Sequence, residues 1–348
     1  MDNKQLEKGK RIKVLVVDDS AMVREVVAKI LSTDKKIEII GQARNGKEAI
    51  ELVAQLKPDI VTMDIVMPEM DGLEATEYIM AYHPTPIAIV TSSLAGKGKD
   101  FVYKSLDLGA LAVIAKPDHI SDLGENFIEK IKLLSKVPVI THLTGKRKRR
   151  VKRTGISANK KVDTNKTVGI VSSTGGPDAL RRILSKLPSD FPAGVVIVQH
   201  IGKGFEKDLI GWLNGYSRVT VKQAQPDEKI EPGCVYFAPS GYHTVVKEKG
   251  ELGLINSPPV WGHRPSGDIM LSSLAQSYGL RAIGVILTGM GKDGARGLKA
   301  IKDAGGKTIA QDEKTSLIFG MPNVAIEMGA ADRIVSIDSI TDEIMKAL

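Results

Sequence analysis

The feature that most constrains the fold of this chain is the alternation of short apolar runs with amphipathic helical patterns. Five such runs occur before residue 120: "KVLVV", "IEII", "DIVTM", "PIAIV" and "LAVIA". Strands that are apolar on both faces are typical of parallel sheets covered by helices. The pattern therefore predicts a doubly wound α/β domain with five parallel strands over residues 11–134.

The same alternation returns after residue 166, with the apolar runs "VGIV", "GVVIVQH", "CVYFAP", "AIGVILTG" and "KTIAQ". A chain of 348 residues is long enough for two domains. We predict a second, larger, Rossmann-like α/β domain over residues 166–348, with a doubly wound and mainly parallel sheet. Antiparallel hairpins within this sheet are expected from "CVYFA" and "HTVVKEKGELGLI", with "KGE" as a turn.

Positive charge is concentrated between the two predicted domains. The chain has a formal net charge of +8, and nine Lys and Arg residues without any acid occur in Gly145–Lys161. Because this segment is polar and aperiodic, we predict a solvated interdomain linker over residues 135–165. Binding to nucleic acid or anionic lipid is the alternative for a basic run. No helix-turn-helix pattern follows the first domain, so we expect no nucleic-acid partner.

Cysteine content and the length of the apolar runs exclude several classes of protein. The single cysteine, Cys234, rules out a disulfide framework and a cysteine-based zinc site. No apolar run reaches 18 residues, and the first ten residues lack the apolar core of a signal peptide. We therefore expect a cytoplasmic protein.

Polar residues follow four strands of the first predicted domain: Asp18, Asp19, Asp64, Thr91 and Lys116. Because the carboxyl ends of parallel strands meet at one edge of a sheet, these groups are expected to converge. Carboxylate oxygens suit Mg²⁺, and an aspartate can accept a phosphoryl group. We predict an Mg²⁺ and phosphorylation site with Asp64 as the acceptor, Lys116 balancing the added charge and Thr91 bonding a phosphate oxygen.

The segments "VLVVDDSAMVR", "PDIVTMDIVMPEMDGLEA", "VTSS" and "GALAVIAKP" resemble the receiver domains of response regulators. The resemblance implies a flavodoxin-like five-stranded fold and phosphorylation of Asp64 by a partner histidine kinase. It also implies that Asp19, Asp64 and the backbone carbonyl of Val66 hold Mg²⁺, with Asp18 nearby.

The resemblance extends to the switch residues of receiver domains, with one departure. Thr91 and Lys116 match the hydroxyl and the lysine of the family's switch. An aromatic residue often lies three positions before that lysine, and here the residue is Val113. The aromatic rotamer switch of some relatives is therefore not implied for this chain.

The stretch "SSTGG", Ser172 to Gly176, lies where a strand of the second domain turns into a helix. A phosphate cradle, a nucleophile and a plain helix-capping turn are the three interpretations. No lysine follows as a Walker loop requires, and the dinucleotide fingerprint Gly-x-Gly-x-x-Gly is absent. Ser and Thr are good helix caps, so these residues alone leave the alternatives open.

Other residues of the second domain favour a serine nucleophile. His200 follows the next predicted strand, and Asp293 lies in a glycine-rich turn after a later one. A serine needs a base, and the base needs an orienting carboxylate, so Ser173, His200 and Asp293 are the predicted catalytic set. Two further histidines remain candidates: His243 as a pocket residue and His263 as a substrate contact.

The segments "SSTGGPDAL", "VVIVQHIGKGF", "HRPSGD", "ILTGMGKDGARGL" and "TIAQDEKTSLIFGMPNVAIEMGA" are similar to the catalytic domain of the chemotaxis protein-glutamate methylesterases, the CheB family. The resemblance implies that Ser173 attacks glutamate methyl esters of methylated chemoreceptors, with His200 as base and Asp293 as orienting group. It implies an oxyanion site at the backbone N–H groups of Thr174 and Met290. Deamidation of receptor glutamines is implied as well.

The family implies no cofactor for the ester step, a chemotaxis-type histidine kinase as partner, and contact with the membrane only through receptors. This sequence departs from the family at Ser172, which is an alternative nucleophile, at "IGKGF" and at Gly267. We expect the unphosphorylated receiver domain to block the catalytic residues and phosphorylation to favour an open state. A DNA-binding response regulator and a non-catalytic regulator are the alternative functions.

Overall fold

The structure is a computed structural model that describes residues 11–92, 102–116, 120–139 and 165–348. The chain divides into two compact units, the first with five strands and the second with nine. Most of the predicted basic linker, including Gly145–Lys161, lies outside the described residues.

The first unit alternates strands and helices along the chain. Its strands are β1 (Ile12–Val17), β2 (Ile37–Ala43), β3 (Ile60–Met63), β4 (Ile87–Thr91) and β5 (Ala112–Ala115). Its helices are α1 (Ala21–Leu31), α2 (Gly46–Leu56), α3 (Gly72–Tyr82), α4 (Lys104–Asp107) and α5 (Ile120–Leu134). All five predicted strands are present.

The five strands form one parallel sheet in the order β2-β1-β3-β4-β5. Its central strands are almost entirely buried, which explains why they are apolar on both faces. Polar side chains begin the first three helices: Ser20, Asn45 and Asp71 each accept a backbone N–H of the first turn. The strand order reverses between β1 and β3, and ligands bind at such switch points.

In the described part of the second unit there are nine strands and six α-helices. The strands are β6 (Thr167–Ser172), β7 (Gly194–Gln199), β8 (Thr220–Gln223), β9 (Cys234–Phe237), β10 (His243–Val246), β11 (Leu252–Ile255), β12 (Ala282–Ile286), β13 (Lys307–Gln311) and β14 (Arg333–Val335). The helices are α6 (Gly176–Leu184), α7 (Glu206–Asn214), α8 (Gly267–Tyr278), α9 (Ala295–Asp303), α10 (Met321–Glu327) and α11 (Ile337–Ala347).

Seven of these strands form one parallel sheet in the order β14-β13-β12-β6-β7-β9-β8. The chain winds from β6 towards β8 on one side and later from β12 towards β14 on the other. β6 therefore lies at the switch point, between β7 and β12. The predicted fold class, two doubly wound α/β units, is confirmed.

The predicted hairpins within the large sheet are only partly correct. β9 pairs in parallel with β7 and β8 and belongs to no hairpin. β10 and β11 do form an antiparallel pair, but in a separate two-stranded sheet. A 3₁₀ turn at Glu248–Gly250 joins them. β9 lies between β7 and β8 in the sheet, although both precede it in the chain, and local patterning does not reveal such an order.

None of the helices in the described part of the chain combines the length and the apolarity that crossing a membrane requires.

Candidate active site

Three neighbouring strands of the second unit end next to one another. Ser172 at the end of β6 pairs in register with Gln199 at the end of β7. Ser173 and His200 are therefore the next residues on adjacent strands, and the His200 N–H donates to the carbonyl of Ser172 at 2.9 Å. On the other side of β6, the loop after β12 brings the carbonyl of Thr288 within 3.1 Å of the Ser173 N–H.

The structure joins His200 to Asp293. His200 Nε2 lies 2.8 Å from Asp293 Oδ2. His200 Nδ1 is buried and has no hydrogen-bond partner among the described residues, so His200 contacts Asp293 but is not bonded to Ser173. Because Asp293 accepts on its carboxylate, the network assigns the ring hydrogen to Nε2 and leaves Nδ1 as the acceptor.

Asp293 is 1% exposed and accepts hydrogen bonds on both carboxylate oxygens. Oδ1 accepts from Ser266 Oγ at 2.7 Å and from the Asp268 N–H at 3.0 Å, and Oδ2 accepts from the Gly267 N–H at 2.6 Å. Burial raises the pKa of Asp293. The hydrogen bond and charge of His200, together with the hydrogen bonds from Ser266 and Asp268, outweigh the effect of burial and lower the pKa of Asp293 to about 2. The carboxylate is therefore ionised and held in one orientation at neutral pH.

The structure distinguishes between the two adjacent serines. Ser172 is fully buried, and its Oγ donates to Gln199 Oε1 at 2.6 Å. Gln199 Nε2 in turn donates to the carbonyls of Ser173 and His200 at 2.8 and 2.9 Å. The hydroxyl of Ser172 is thus committed to Gln199, whereas Ser173 Oγ makes no hydrogen bond within the described chain.

Sequence reasoning did not identify Gln199, Ser266 or Asp268 as supports of the site. Gln199 carries a signal that could have found it, because it directly precedes the candidate base on a buried strand. Ser266 is the N-cap of α8 and Asp268 lies in its first turn, as a capping pattern would suggest. Their contact with Asp293 joins residues 25 to 27 positions apart and has no local signature.

The two predicted oxyanion residues are Thr174, which follows Ser173, and Met290, in the loop after β12 that contacts Ser173. Thr174 precedes the N-terminus of α6, and its carbonyl accepts from Thr288 Oγ1 at 3.0 Å. Neither the Thr174 N–H nor the Met290 N–H donates to an acceptor within the described residues. A Cβ on Gly289 would lie 2.7 Å from Ser173 Cβ, so only glycine lets this loop pass so close to the serine.

The remaining two histidines have different environments. His243 is fully buried; its Nδ1 accepts the Ser266 N–H at 3.1 Å and its Nε2 lies 3.0 Å from the Pro258 carbonyl. Both ring nitrogens are thus used in holding the loop before α8. His263 stacks on His200, with ring centroids 3.8 Å apart and planes 5° from parallel.

In the first unit, the predicted acidic edge is assembled at the switch point. Oxygens of Asp18, Asp19 and Asp64 lie within 4.8 Å of one another, and only Asp19 is exposed. Lys116 Nζ contacts Asp18 Oδ2 at 2.7 Å and Asp64 Oδ2 at 2.6 Å. Asp64 Oδ1 also accepts the Ile65 N–H at 2.7 Å.

One ammonium group is shared by two buried carboxylates at this edge. Burial raises the pKa of Asp18, and the charge of Asp64 adds to that effect. Burial lowers the pKa of Lys116, but its bonds to Asp18 and Asp64 outweigh this and raise that pKa. Lys116 therefore stays protonated and positively charged beside the carboxylates of Asp18 and Asp64.

The other residues predicted for the first unit surround this edge. Thr91 ends β4 with its side chain buried, and its carbonyl accepts the Lys116 N–H at 2.8 Å. Val66 lies in the loop between β3 and α3, two residues after Asp64. Val113 is a half-buried residue of β5, in register with Ile89 of β4.

Two protein families and a solved structure are similar to parts of this chain. The sequence profile of the family described as CheB methylesterase matches residues 168–344, and that of the response regulator receiver domain matches residues 14–128. The crystal structure of the Thermotoga maritima CheB methylesterase catalytic domain is 41% identical. The match covers 53% of the present chain and 98% of the Thermotoga maritima chain, with a TM-score of 0.51.

Two relatives extend the similarity over nearly the full length. A Pyrococcus horikoshii protein named protein-glutamate methylesterase/protein-glutamine glutaminase is 42% identical over 353 residues, covering 98% of this chain and 94% of that protein. An Archaeoglobus fulgidus protein of the same name is 41% identical over 345 residues, covering 97% and 98%. The chain therefore belongs to the CheB methylesterase family and carries a response regulator receiver domain.

Proposed function

We propose that the protein hydrolyses glutamate methyl esters on methylated chemoreceptors, with Ser173 as nucleophile, and deamidates certain receptor glutamines by the same acyl chemistry. The observation that carries the proposal is the environment of His200. One ring nitrogen is held by the buried Asp293 carboxylate. The other is buried without a partner among the residues that the structure describes, next to the strand that ends at Ser172. Unpaired buried nitrogens are rare, and one beside a serine suits a general base.

The proton path follows from the orientation of the ring. Ser173 Oγ attacks the ester carbonyl carbon and gives its proton to His200 Nδ1. The hydrogen bond between Ser173 Oγ and His200 Nδ1 forms when substrate binds. The imidazolium then protonates the methoxy oxygen, and methanol leaves. Water attacks the acyl-enzyme by the same route, and the ionised Asp293 stabilises the imidazolium throughout.

Charge on the tetrahedral oxygen needs donors that are free in the resting protein. The N–H groups of Thr174 and Met290 meet this requirement, and Thr174 also lies before the positive end of the α6 dipole. Loss of one such donor typically lowers kcat by about 10²–10³-fold. Ester hydrolysis at this site requires no cofactor.

We propose three parts for the chain: a receiver domain over residues 11–134, a basic linker over residues 135–165 and a catalytic domain over residues 166–348. Asp64 is the proposed phosphoryl acceptor, and a histidine kinase of the chemotaxis type is the proposed donor. Lys116 stabilises the added charge from its position beside Asp64, and Thr91 bonds a phosphoryl oxygen after phosphorylation.

The acidic edge of the receiver suits Mg²⁺, since its donors are all oxygens and two of the three carboxylates are buried. Asp19, Asp64 and the backbone carbonyl of Val66 would hold the ion, with Asp18 nearby. When bound, Mg²⁺ neutralises charge on the phosphoryl oxygens during transfer. Phosphorylation at Asp64 is proposed to raise ester hydrolysis by shifting the population towards an active state.

The first test is methanol release from methylated receptor membranes by the purified protein. Ser173→Ala is expected to lower this rate by at least about 10³-fold, because the nucleophile is lost. Ser172→Ala is the matched control, and it is expected to retain hydrolysis within about tenfold. Loss of activity in Ser172→Ala together with full activity in Ser173→Ala would reverse the assignment of the nucleophile.

The second test concerns regulation. Methanol release is measured with and without a small-molecule phosphodonor in the presence of Mg²⁺. The wild-type rate is expected to rise, and the rate of Asp64→Asn is expected to be insensitive to the phosphodonor. Equal stimulation of both proteins would show that Asp64 is not the regulatory acceptor.

A further inference from the structure

One surface feature of the second unit is not used by the proposed chemistry. The exposed indole of Trp261 faces two cations: Lys292 Nζ lies 3.6 Å from the ring centroid and the Arg296 guanidinium carbon lies 4.8 Å from it. These three residues, named the cation–indole cluster here, are all exposed to solvent. Trp261 itself is 40% exposed.

The position of the indole is set by a tight turn. Val260 and His263 exchange backbone hydrogen bonds of 3.0 and 2.9 Å around two central residues. Both central residues, Trp261 and Gly262, have positive φ angles, 54° and 79°, as a type I′ turn requires. A bulky residue such as tryptophan is unusual in this conformation, and the strain must be compensated by its contacts.

One of these contacts ties the indole to the active site. Trp261 Nε1 donates to Asp268 Oδ2 at 3.0 Å, and the Asp268 backbone N–H donates to Asp293 Oδ1 at 3.0 Å. Lys292 directly precedes Asp293 in the chain. The turn that carries Trp261 ends at His263, which stacks on His200. The cluster is therefore part of the border of the site that holds His200.

Within the described residues, neither Lys292 nor Arg296 forms an ion pair with a carboxylate. The two nearby aspartates are buried and occupied: Asp268 by the Gly294 and Gly297 N–H groups and the indole, and Asp293 by His200 and the start of α8. Two fixed positive charges thus face solvent beside a site that produces a carboxylate.

We propose that the cation–indole cluster binds carboxylate side chains of the substrate polypeptide close to the reacting ester, so that acidic segments are preferred. The substrate class rests on the proposed function, because each hydrolysis leaves a free glutamate beside any remaining ester. Arginine and lysine bind carboxylates by charge-assisted hydrogen bonds. The indole contributes by holding both cations close to its ring, which reduces the entropy lost on binding.

Binding is tested with peptides that carry no ester, so that the result does not depend on catalysis. A fluorescent helical peptide with several glutamates is titrated with the full-length protein at low salt, and a matched peptide with glutamine in their place is the reference. Lys292→Gln/Arg296→Gln is expected to weaken binding of the glutamate peptide by about tenfold. Lys299→Gln is the control, because this lysine lies on α9, as Arg296 does, but pairs with Asp303.

Catalysis provides the second measurement. We compare kcat/KM for two methyl-ester peptides, one flanked by glutamates and the other by glutamines. The preference for the glutamate-flanked peptide, expressed as the ratio of the two kcat/KM values, is expected to fall in Lys292→Gln/Arg296→Gln. The same ratio is expected to be kept in Lys299→Gln. If the wild type hydrolyses neither peptide, the proposed function fails, while the binding assay still decides the role of the cluster.

Two kinds of result would overturn the inference, one from the variants and one from a competing polyanion. One is unchanged binding of the glutamate peptide by Lys292→Gln/Arg296→Gln, or an equal loss in Lys299→Gln. The other is binding of a DNA oligonucleotide of the same charge that is as tight as that of the glutamate peptide and is weakened as much in Lys292→Gln/Arg296→Gln. Such binding would indicate a general polyanion surface instead of a substrate contact.

Discussion

The side-chain carboxylates of Asp293 and Asp268 each accept a backbone N–H from the other's segment, at the starts of two helices. Asp293 Oδ1 accepts the Asp268 N–H at 3.0 Å, and Asp268 Oδ1 accepts the N–H of Gly294, the residue after Asp293, at 2.9 Å. Each carboxylate thus satisfies N–H groups at a helix N-terminus, where a negative charge is also favoured by the dipole. The orientation of the carboxylate that holds His200 is therefore coupled to the packing of α8 on α9.

The depressed pKa of Asp293 predicts a specific loss of stability in acid. Its pKa falls from 3.8 to about 2 on folding, so its contribution is fully present above the unfolded value and is lost as the pH falls towards the folded one. Between about pH 5 and pH 2 the unfolding free energy should fall by about 2 kcal/mol more in the wild type than in Asp293→Asn. Urea unfolding across this range measures the difference, and parallel curves would contradict the prediction.

Asp268→Ala is expected to destabilise the second unit by about 1.5–3 kcal/mol, because two backbone N–H groups and the Trp261 indole lose a charged acceptor. Asp178→Ala is the matched control. Asp178 also lies in the first turn of a helix, but it is half-exposed and pairs only with Arg181, so its loss should cost less than about 1 kcal/mol. If Asp268→Ala and Asp178→Ala lowered the unfolding free energy equally in chemical denaturation, the hydrogen bonds of Asp268 would contribute no more than an exposed ion pair.

The stacking of His263 on His200 predicts a positioning role. His263→Ala should lower kcat by roughly three- to tenfold with little change in KM, since a stacked ring pair contributes about 0.5–1.5 kcal/mol. His263→Phe keeps a planar ring and should recover most of the lost rate. A raised KM with unchanged kcat in both variants would instead identify His263 as a substrate contact.

Lys116 contacts the receiver carboxylates that would also hold the proposed Mg²⁺. Because its ammonium lies 2.7 Å from Asp18 and 2.6 Å from Asp64, Lys116→Met should strengthen Mg²⁺ binding by roughly tenfold in titration calorimetry. Lys132→Met is the control, because Lys132 pairs with Asp34 and Glu129 and should leave the affinity unaltered. Weaker binding in Lys116→Met would mean that the lysine organises the metal site.

The strands that could be predicted from the sequence are the buried ones. All five strands of the first unit and the strands β6, β7, β9, β12 and β13 coincide with apolar runs. The missed strands, Thr220–Gln223 and Arg333–Val335, lie at the two edges of the large sheet. Edge strands expose much of their surface and hold polar residues, so they lack the continuous apolar signal.

The sequence by itself determined the alternation of strands and helices, and with it the two parallel sheets and the edges where Asp64 and Ser173 occur. That follows because hydrophobic periodicity is local, and parallel strands place their carboxyl ends on one side. Only the tertiary structure showed that Ser172 Oγ is bonded to Gln199, whereas Ser173 Oγ makes no hydrogen bond within the described residues, and that His263 stacks on His200. These differences depend on side-chain contacts of Gln199, Ser266 and Asp293, residues brought together by strand register and helix packing from distant parts of the chain.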